Sequence, residues 1–265
     1  MKAQGSTSFW QLLRERRSRD AIYHVSQYWD DRASAREGLA RSLWPSNVFN
    51  ELWDERQRAL LVRALGPLEG RRLVDLGCGT GRMTRFFASL GASEVVGVDF
   101  SPATVDAAQR ETEQLLPGAP VRFVQGDVLA GLEQLGGNFD DVLVLGCLSV
   151  ACRDKGSLER AMANVAALVK SQGRVVLLEP IHRSPLLRRV LDLGIEEWVA
   201  VANLAGLDLL KADRMGFVPV RLFLSVRDLP KGLVGPVFRL GEALLDRASY
   251  LAPLSDYKLL VFKRR

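Results

Sequence analysis

The stretch LVDLGCGTGR, residues 73–82, holds the residues best suited to bind a small ligand. It places an acid, Asp75, before three glycines at alternate positions, Gly77, Gly79 and Gly81. Glycine lets the backbone approach a ligand closely, because no side chain stands in the way. A helix that begins directly after such a loop offers free N–H groups to a carboxylate or a phosphate. The pattern therefore predicts a ligand-binding turn between a strand and a helix.

The spacing of these glycines excludes two common nucleotide-binding loops. The dinucleotide motif G-x-G-x-x-G requires its third glycine at position 82 or 84, where Arg82 and Thr84 stand. A P-loop requires Gly-Lys-Ser or Gly-Lys-Thr, which this stretch lacks. The pattern D-x-G-x-G-x-G thus indicates a different ligand.

Three further sites follow predicted strands and are expected to face the same ligand. Asp99 ends the second strand, where a carboxylate can accept both hydroxyl groups of a ribose. Asp127 and Val128 follow the third strand, and they suit the amino group and the ring of an adenine. Gly146 and Cys147 follow the fourth strand and are small enough to line the same pocket. Ligands of parallel sheets bind outside the carboxyl ends of the strands, so these residues are expected at one edge.

Apolar strands alternate with amphipathic helices along the chain, and this order determines where the candidate ligand-binding residues lie. The predicted strands are 71–77, Glu94–Asp99, Val121–Gln125, Asp140–Leu145 and Gly173–Glu179, with two closing strands at Phe217–Leu224 and Lys258–Lys263. Such alternation predicts parallel βαβ units and a sheet covered on both faces. Helical patterning is expected over 1–65, with a long helix from about Val48 to Ala64, and again over 181–215.

Composition and charge narrow the class of protein. The chain has 265 residues, of which 48% are hydrophobic, so it can bury a sizeable core. Its three cysteines and two histidines lack the spacing of a metal site, and we expect free thiols and no metal. No apolar run is long enough to cross a membrane, and the first twenty residues lack an apolar centre, so we expect a cytoplasmic protein. The net charge of +5 comes without a dense basic face, which disfavours nucleic acid as a partner.

Five motifs in order resemble the class I S-adenosylmethionine-dependent methyltransferases. They are VDLGCGTGR, VVGVDFS, FVQGDV, FDDVLVLG and GRVVLLEP, and they cover roughly residues 70–180. The resemblance implies a Rossmann-like, doubly wound sheet of seven strands, mostly parallel, with the order 3-2-1-4-5-7-6 and an antiparallel last strand. It also implies S-adenosylmethionine as the cofactor, S-adenosylhomocysteine as the product and no metal.

The resemblance also assigns roles to residues of the motifs. Asp75 orders the glycine loop near the methionine amine, and the backbone at Gly77 and Gly79 faces the methionine part. Asp99 holds the ribose and Phe100 lies along the adenine. The neighbouring motif positions Cys78 and Ser101 are also expected at the cofactor.

The remaining motif positions complete the expected cofactor site. The resemblance places Asp127 and Val128 at the adenine, and backbone carbonyls of Gly146 and Cys147 near the amine. Arg82 either pairs with the carboxylate of the methionine part or is a surface residue of the helix.

An N-terminal helical lid over residues 1–66 is expected to precede a cofactor-binding domain over residues 67–265. Tyr28 and Trp29 either close over the cofactor, excluding water, or belong to the core. His182 follows the fifth strand and is the first candidate for a general base, with His24 in the lid as the second. The insertion near residues 226–256 is amphipathic and is expected to cap the substrate.

These features favour transfer of a methyl group to a small, partly apolar acceptor, with a hydroxyl of natural-product or quinone-like type expected. The sequence lacks the Asn/Asp-Pro-Pro-Tyr motif of enzymes that methylate the amino groups of nucleic-acid bases, which disfavours a nucleic-acid substrate. Two alternatives stay open, a protein or peptide N-methyltransferase and a regulatory protein that binds the cofactor without turnover. The apolar side of the insertion, around Val237 and Leu240, could instead contact a membrane surface. A monomer or a homodimer is expected.

Overall fold

The fold is that of a computed structural model, which describes residues 23, 25–35, 44–184 and 187–265. Seven strands form one sheet in the order β3-β2-β1-β4-β5-β7-β6. The strands are β1 (Arg72–Leu76), β2 (Glu94–Asp99), β3 (Val121–Gln125), β4 (Phe139–Leu145), β5 (Val169–Glu179), β6 (Leu207–Phe217) and β7 (Ser255–Arg264). The predicted strand order is therefore confirmed.

Strands β1 to β5 run parallel, and β7 runs antiparallel to both β5 and β6. At the centre of the sheet, Val74 on β1 pairs with Val96 on β2 and with Val142 on β4. Because β1, β2, β3 and β4 are parallel neighbours, the loops after them lie at one edge of the sheet. This edge carries every cofactor residue that the motifs predict after a strand.

Nine helices of the described residues accompany the sheet. They are α1 (Ser26–Ala35), α2 (Asn47–Leu65), α3 (Arg82–Ser89), α4 (Pro102–Leu115), α5 (Leu148–Ala151), α6 (Lys155–Leu168), α7 (Ile195–Leu204), α8 (Val218–Leu224) and α9 (Lys231–Arg247). Short 3-10 turns cover Glu133–Leu135 and Ser249–Leu254. The predicted long helix is α2, which begins after the N-cap Ser46 and ends at Gly66, a residue with φ +65°.

Two hydrophobic clusters cover the two faces of the sheet. One includes Met162 and Val165 of α6 and Trp198 of α7. The other includes Phe49, Leu60 and Leu61 of α2, together with residues of α3 and α9. Helix α2 is thus part of the core. Of the predicted lid segment 1–66, Tyr23 and α1 border a cavity at the carboxyl edge of the sheet.

The prediction for residues 181–224 was wrong in two respects. Phe217–Leu224, predicted as a strand, forms helix α8, with Pro219 in its first turn, where proline favours a helix start. Of the described residues in 181–215, which are predicted as helical, only Ile195–Leu204 forms a helix, α7, and residues 207–215 belong to the edge strand β6. Five successive residues of β6, Asp208–Ala212, are exposed, which removes the alternation that identifies a half-buried strand.

Candidate active site

The glycine loop follows β1 and folds back over the end of β2. The N–H groups of Gly77 and Cys78 both donate to the carbonyl of Val98, at 2.7 and 3.0 Å. Gly77, Gly79 and Gly81 have φ values of +73°, +55° and +76°, in the left-handed region that favours glycine. The loop therefore owes its shape to its glycines, and α3 begins directly behind it.

A cavity of about 280 Å³ lies at this edge of the sheet. Nine predicted cofactor residues line it, namely Trp29, Gly77, Gly79, Asp99, Phe100, Asp127, Val128, Gly146 and Cys147. The other lining residues are Tyr23, Leu76, Thr80, Val98, Thr104, Gly126, Leu129, Leu132, Leu145, Val150 and Ala151. The wall is thus mostly apolar, and its two acids are Asp99 and Asp127.

The carboxylate of Asp99 is held by the backbone on both sides. Its Oδ2 accepts from the N–H of Gly79 at 3.0 Å, and its Oδ1 accepts from the N–H of Ser101 at 3.1 Å. Burial raises the pKa of Asp99, while these backbone donors oppose the rise. Each oxygen retains a lone pair, so the carboxylate can accept two hydroxyl groups, as a ribose requires.

The far end of the cavity suits a flat base. Val128 is buried, and Leu129 and Leu132 extend the apolar wall beside it. Asp127 is exposed, and its Oδ1 accepts from the N–H of Leu129 at 2.9 Å. Its second oxygen can therefore accept from an exocyclic amino group. Sequence reasoning missed the two leucines, although both follow Asp127 within five residues.

The loop after β4 is fixed by Glu179, a buried residue at the end of β5. Its Oε1 accepts from the N–H groups of Cys147 and Leu148 at 2.8 and 2.9 Å, and its Oε2 accepts from the N–H of Ser149 at 3.2 Å. Burial raises the pKa of Glu179 to about 7, although these donors favour the ionised form. Glu179 thus shapes the wall at Gly146 and Cys147 from behind, and sequence reasoning did not find it.

Glu179 is expected to make stability depend on pH. A glutamate in the unfolded chain has a pKa of about 4.3, so between that pH and about 7 the folded protein retains a proton that the unfolded chain has lost. The free energy of unfolding should therefore fall as the pH rises through this window, by up to about 1.4 kcal/mol per pH unit from this group. Glu179→Gln should reduce that slope in urea titrations between pH 4.5 and 8.

An exposed glutamate provides the control for this pH dependence. Glu113 lies on the surface of α4, and Glu113→Gln should leave the slope as it is in the wild type. Buried Asp75, whose pKa burial raises to about 6, contributes in the same direction and stays in both variants. An unchanged slope in Glu179→Gln would mean that Glu179 stays ionised in this pH range.

Four predicted cofactor residues lie behind the cavity wall. Asp75 is buried and accepts from the hydroxyl of Thr84 at 2.7 Å, which ties β1 to α3. Cys78 is buried, and burial raises the pKa of its thiol well above the usual value, so it is a packing residue. Ser101 caps α4 by accepting from the N–H of Thr104. These residues support the loop, and any contact with a ligand stays a prediction.

The fourth, Arg82, is half-buried against α2. Its guanidinium pairs with Asp54, and its Nη2 donates to Oε1 of Gln57 at 2.8 Å. Burial lowers the pKa of Arg82 to about 10. The sequence predicted either a ligand contact or a surface position for Arg82, and not a contact with α2. Nothing in the motif indicates which helix lies opposite the glycine loop. Arg82 does not line the cavity, and pairing with a ligand carboxylate stays a prediction.

Three aromatic residues of the N-terminal segment cluster beside the cavity. The rings of Tyr23, Tyr28 and Trp29 have centroids 5.1 to 5.6 Å apart, and the indole N–H of Trp29 donates to the carbonyl of Tyr23 at 2.8 Å. Trp29 and Tyr23 line the cavity, whereas Tyr28 does not. The hydroxyl of Ser101 donates to Asp30, so α1 is attached beside Asp99. A lid role stays a prediction.

His182 lies in a buried polar cluster next to β7. Its Nε2 is 2.8 Å from the carbonyl oxygen of Asp256, whose carboxylate also pairs with Arg221 at 3.1 Å. Burial raises the pKa of Asp256, but Arg221 and His182 outweigh it and lower the pKa to about 2. His182 does not line the cavity. His24, the other candidate base, lies outside the described residues.

Tyr257 connects this cluster to the cavity wall. Its hydroxyl lies 3.5 Å from the position of a Cβ on Gly146, and its ring packs against Trp53 with centroids 5.3 Å apart. Burial raises its pKa, so the phenol stays neutral. Sequence reasoning missed Tyr257, because it lies far along the chain from the motifs and only the pairing of β7 with β5 brings it near.

Over the ranges that the structure describes, no group of three metal-ligating side chains comes together. Over the same ranges, no helix combines the length and apolar character needed to cross a membrane. The cytoplasmic location, the absence of a nucleic-acid partner and the oligomeric state stay predictions.

The sheet order and the glycine loop define a class I methyltransferase fold. Residues 73–173 match the family model described as "Methyltransferase domain". The resemblance drawn from the five motifs is thereby confirmed. The fold is similar to that of magnesium protoporphyrin IX methyltransferase from Synechocystis PCC 6803, a structure with bound SAH, at a TM-score of 0.61 and 16% identity over 93% of this chain and 98% of that one.

Two curated relatives have informative names. A demethylmenaquinone methyltransferase from Tropheryma whipplei is 30% identical over 135 residues, 51% of this chain and 52% of that protein. The O-methyltransferase cnsE from Penicillium expansum is 26% identical over 226 residues, 80% of this chain and 78% of that protein. The chain thus spans about half the length of the first relative, and similarity to the second extends beyond the motifs.

Proposed function

We propose that this protein transfers a methyl group from S-adenosylmethionine to a small-molecule acceptor, and that it methylates a hydroxyl oxygen of a quinone-like or natural-product compound. The observation that carries the proposal is Asp99, held by two backbone N–H groups beside the glycine loop, in a cavity that Trp29 and Tyr23 border. S-adenosylmethionine, when bound, supplies an activated methyl group.

The residues at this edge fit the parts of that cofactor. Asp99 has acceptor capacity for two ribose hydroxyls, and Asp127 has a free oxygen for the adenine amino group. The left-handed glycines allow the backbone to approach the methionine part. The remaining task of the chain is to orient the acceptor oxygen in line with the transferred methyl group and to exclude water.

The wall of the cavity supports a neutral, partly apolar acceptor. Its two acids are assigned to the nucleoside, so the rest of the described wall has no charged side chain for a basic peptide. Leu145, Val150 and Ala151 are apolar, and Trp29 adds an aromatic surface. The names of the relatives, a demethylmenaquinone methyltransferase and an O-methyltransferase, agree with a small-molecule acceptor.

We also propose His182 as general base for the acceptor hydroxyl, although it is buried beside β7 and does not line the described cavity. Its Nε2 lies at hydrogen-bond distance from a carbonyl oxygen, which can only accept, so Nε2 carries the hydrogen. With Nε2 as the donor, Nδ1 is the ring nitrogen that is left to accept a proton from the acceptor. Ring orientation fixed by a partner on the other nitrogen is a usual arrangement for a catalytic histidine.

Turnover is tested by mass spectrometry of acceptors incubated with the protein and S-adenosylmethionine. We expect a gain of one methyl group on members of a panel of phenols, hydroquinones and enols. His182→Gln should lower the rate about 10²-fold or more while leaving calorimetric binding of S-adenosylhomocysteine unchanged. Binding without methylation of any panel member or of added peptides would favour the regulatory alternative. Methylation of peptides alone would favour the N-methyltransferase.

A further inference from the structure

Helix α9 has an inner face that packs against the rest of the fold. The ring of Phe238 lies 5.6 Å from that of Phe49 on α2, and Val234 and Leu245 are buried on the same side. The carboxylate of Glu242 accepts from the N–H groups of Gly216 and Phe217 at 3.0 and 3.1 Å. These contacts fix the rotation of the helix about its axis.

The opposite side of α9 carries a second apolar stripe, which faces outward. Leu233, Val237, Leu240 and Leu244 follow at intervals of four, three and four residues, so they share one face of the helix. Between 39% and 62% of each side chain is exposed. At 1.5 Å per residue, the stripe is about 17 Å long. We call these four residues the outer α9 stripe.

Other exposed apolar residues lie close to the stripe in the chain. The described residues include fourteen exposed large apolar side chains, and eight of them lie between residues 223 and 254. Phe223 and Tyr250, on either side of α9, are 79% and 80% exposed. Apolar residues scattered singly need no explanation, but a contiguous apolar face indicates a binding surface.

Exposed arginines lie on helix α9 and next to it in the chain. Arg247 follows Leu240 by seven residues and Leu244 by three, which places it beside them on the same face. Arg239 and Arg227 are exposed as well, and across the described ranges none of the three pairs with a carboxylate. Residues 181–265 as a whole hold 14 Lys+Arg against 9 Asp+Glu. On α9 and within a few residues of it, four cations are exposed, Arg227, Lys231, Arg239 and Arg247, against two exposed acids, Asp228 and Asp246, so the local net charge is positive.

We propose that the outer α9 stripe lies on an anionic lipid surface. A helix that lies in the plane of a membrane interface combines an apolar face with basic residues at its border and exposed aromatics nearby. Arginines without carboxylate partners complement the negative potential of anionic headgroups. The helix is anchored to the fold by its inner face, so binding would hold the whole protein at the membrane.

Flotation with lipid vesicles tests this proposal and needs no methyl transfer, so its outcome is independent of the proposed function. We expect the wild type to float with vesicles that contain phosphatidylglycerol and to bind phosphatidylcholine vesicles much less. The triple variant L233S/L240S/L244S should lose at least tenfold in partitioning. The double variant R239Q/R247Q should lose tenfold or more on anionic vesicles, and high salt should reduce wild-type binding to the same degree.

The matched control replaces three exposed leucines elsewhere on the surface. Leu204, Leu209 and Leu210, at the end of α7 and on β6, are between 39% and 76% exposed. L204S/L209S/L210S should float as the wild type does, and unchanged thermal unfolding should show that the variants fold. The absence of wild-type flotation, or equal losses in both leucine variants, would overturn the proposal. If the wild type is a homodimer and only L233S/L240S/L244S makes it dissociate, the outer α9 stripe contacts a second copy of the chain. That result would also overturn the proposal.

Discussion

Replacement of Asp99 by alanine is expected to abolish cofactor binding at ordinary concentrations. The carboxylate is proposed to accept two hydroxyl groups, and a hydrogen bond to a charged group contributes about 1.5–3 kcal/mol. Loss of two such bonds corresponds to a dissociation constant about 10² to 10⁴ times higher. The effect should be equal for S-adenosylmethionine and S-adenosylhomocysteine, because the two share the ribose. Isothermal titration calorimetry measures both constants directly.

Two further variants separate ligand binding from local structure in this experiment. Asp99→Asn retains one oxygen acceptor in the same place, so its loss of affinity should lie between those of the wild type and Asp99→Ala. Asp106→Ala removes an exposed acid from the outer side of the neighbouring helix α4 and should bind as the wild type does. An affinity of Asp99→Ala within threefold of the wild type would contradict the assignment of Asp99 to the ribose.

Alanine at Gly77 is expected to destabilise the fold, whereas alanine at Gly79 is expected to act mainly on the ligand. Both positions have positive φ, which costs a non-glycine residue about 1–2 kcal/mol. A Cβ at Gly77 would also lie 2.6 Å from Cβ and 2.7 Å from Sγ of Cys147. Overpacking of this kind costs about 1–3 kcal/mol more. A Cβ at Gly79 meets no protein atom within 4 Å.

Urea denaturation and calorimetry together distinguish the two substitutions. Gly77→Ala should lower the free energy of unfolding by about 2–5 kcal/mol, and Gly79→Ala by about 1–2 kcal/mol. Because Gly79 lines the cavity, its added methyl group should weaken S-adenosylhomocysteine binding about tenfold or more. Adding Cys147→Gly to Gly77→Ala removes both clashing atoms and should restore part of the lost stability. Equal stabilities of the two single variants would show that the contact with Cys147 is relieved easily.

The central sheet could be predicted because its signals are local. Each of strands β1 to β4 is a short apolar run that ends in a turn or a polar residue, and a helix with a recognisable start follows most of them. Ser101 and Pro102, for example, mark the beginning of α4 in the sequence and cap it in the structure. The edge strand β6 lacked such a signal, because its exposed residues follow no alternating pattern.

The site was predictable as far as it lies on single motifs. Nine motif or lid residues line the cavity, since the carboxyl ends of parallel strands meet at one edge. The supporting contacts were not predictable, because they join distant parts of the chain. Glu179 reaches the loop after β4 from the next strand in the sheet, and Tyr257 reaches Gly146 only through the antiparallel pairing of β7. Sequence spacing carries no information about such pairs.

The contact between Arg82 and α2 helps to determine which part of this chain can fold on its own. The family match begins at residue 73, and the sequence suggests a division after residue 66. A fragment divided there would lack Asp54 and Gln57 and leave the half-buried guanidinium of Arg82 without these partners, a destabilising change. It would also expose the sheet face that Phe49, Trp53 and Leu60 cover. The smallest self-sufficient unit therefore includes α2, and the methyltransferase fold of this chain starts well before its first motif.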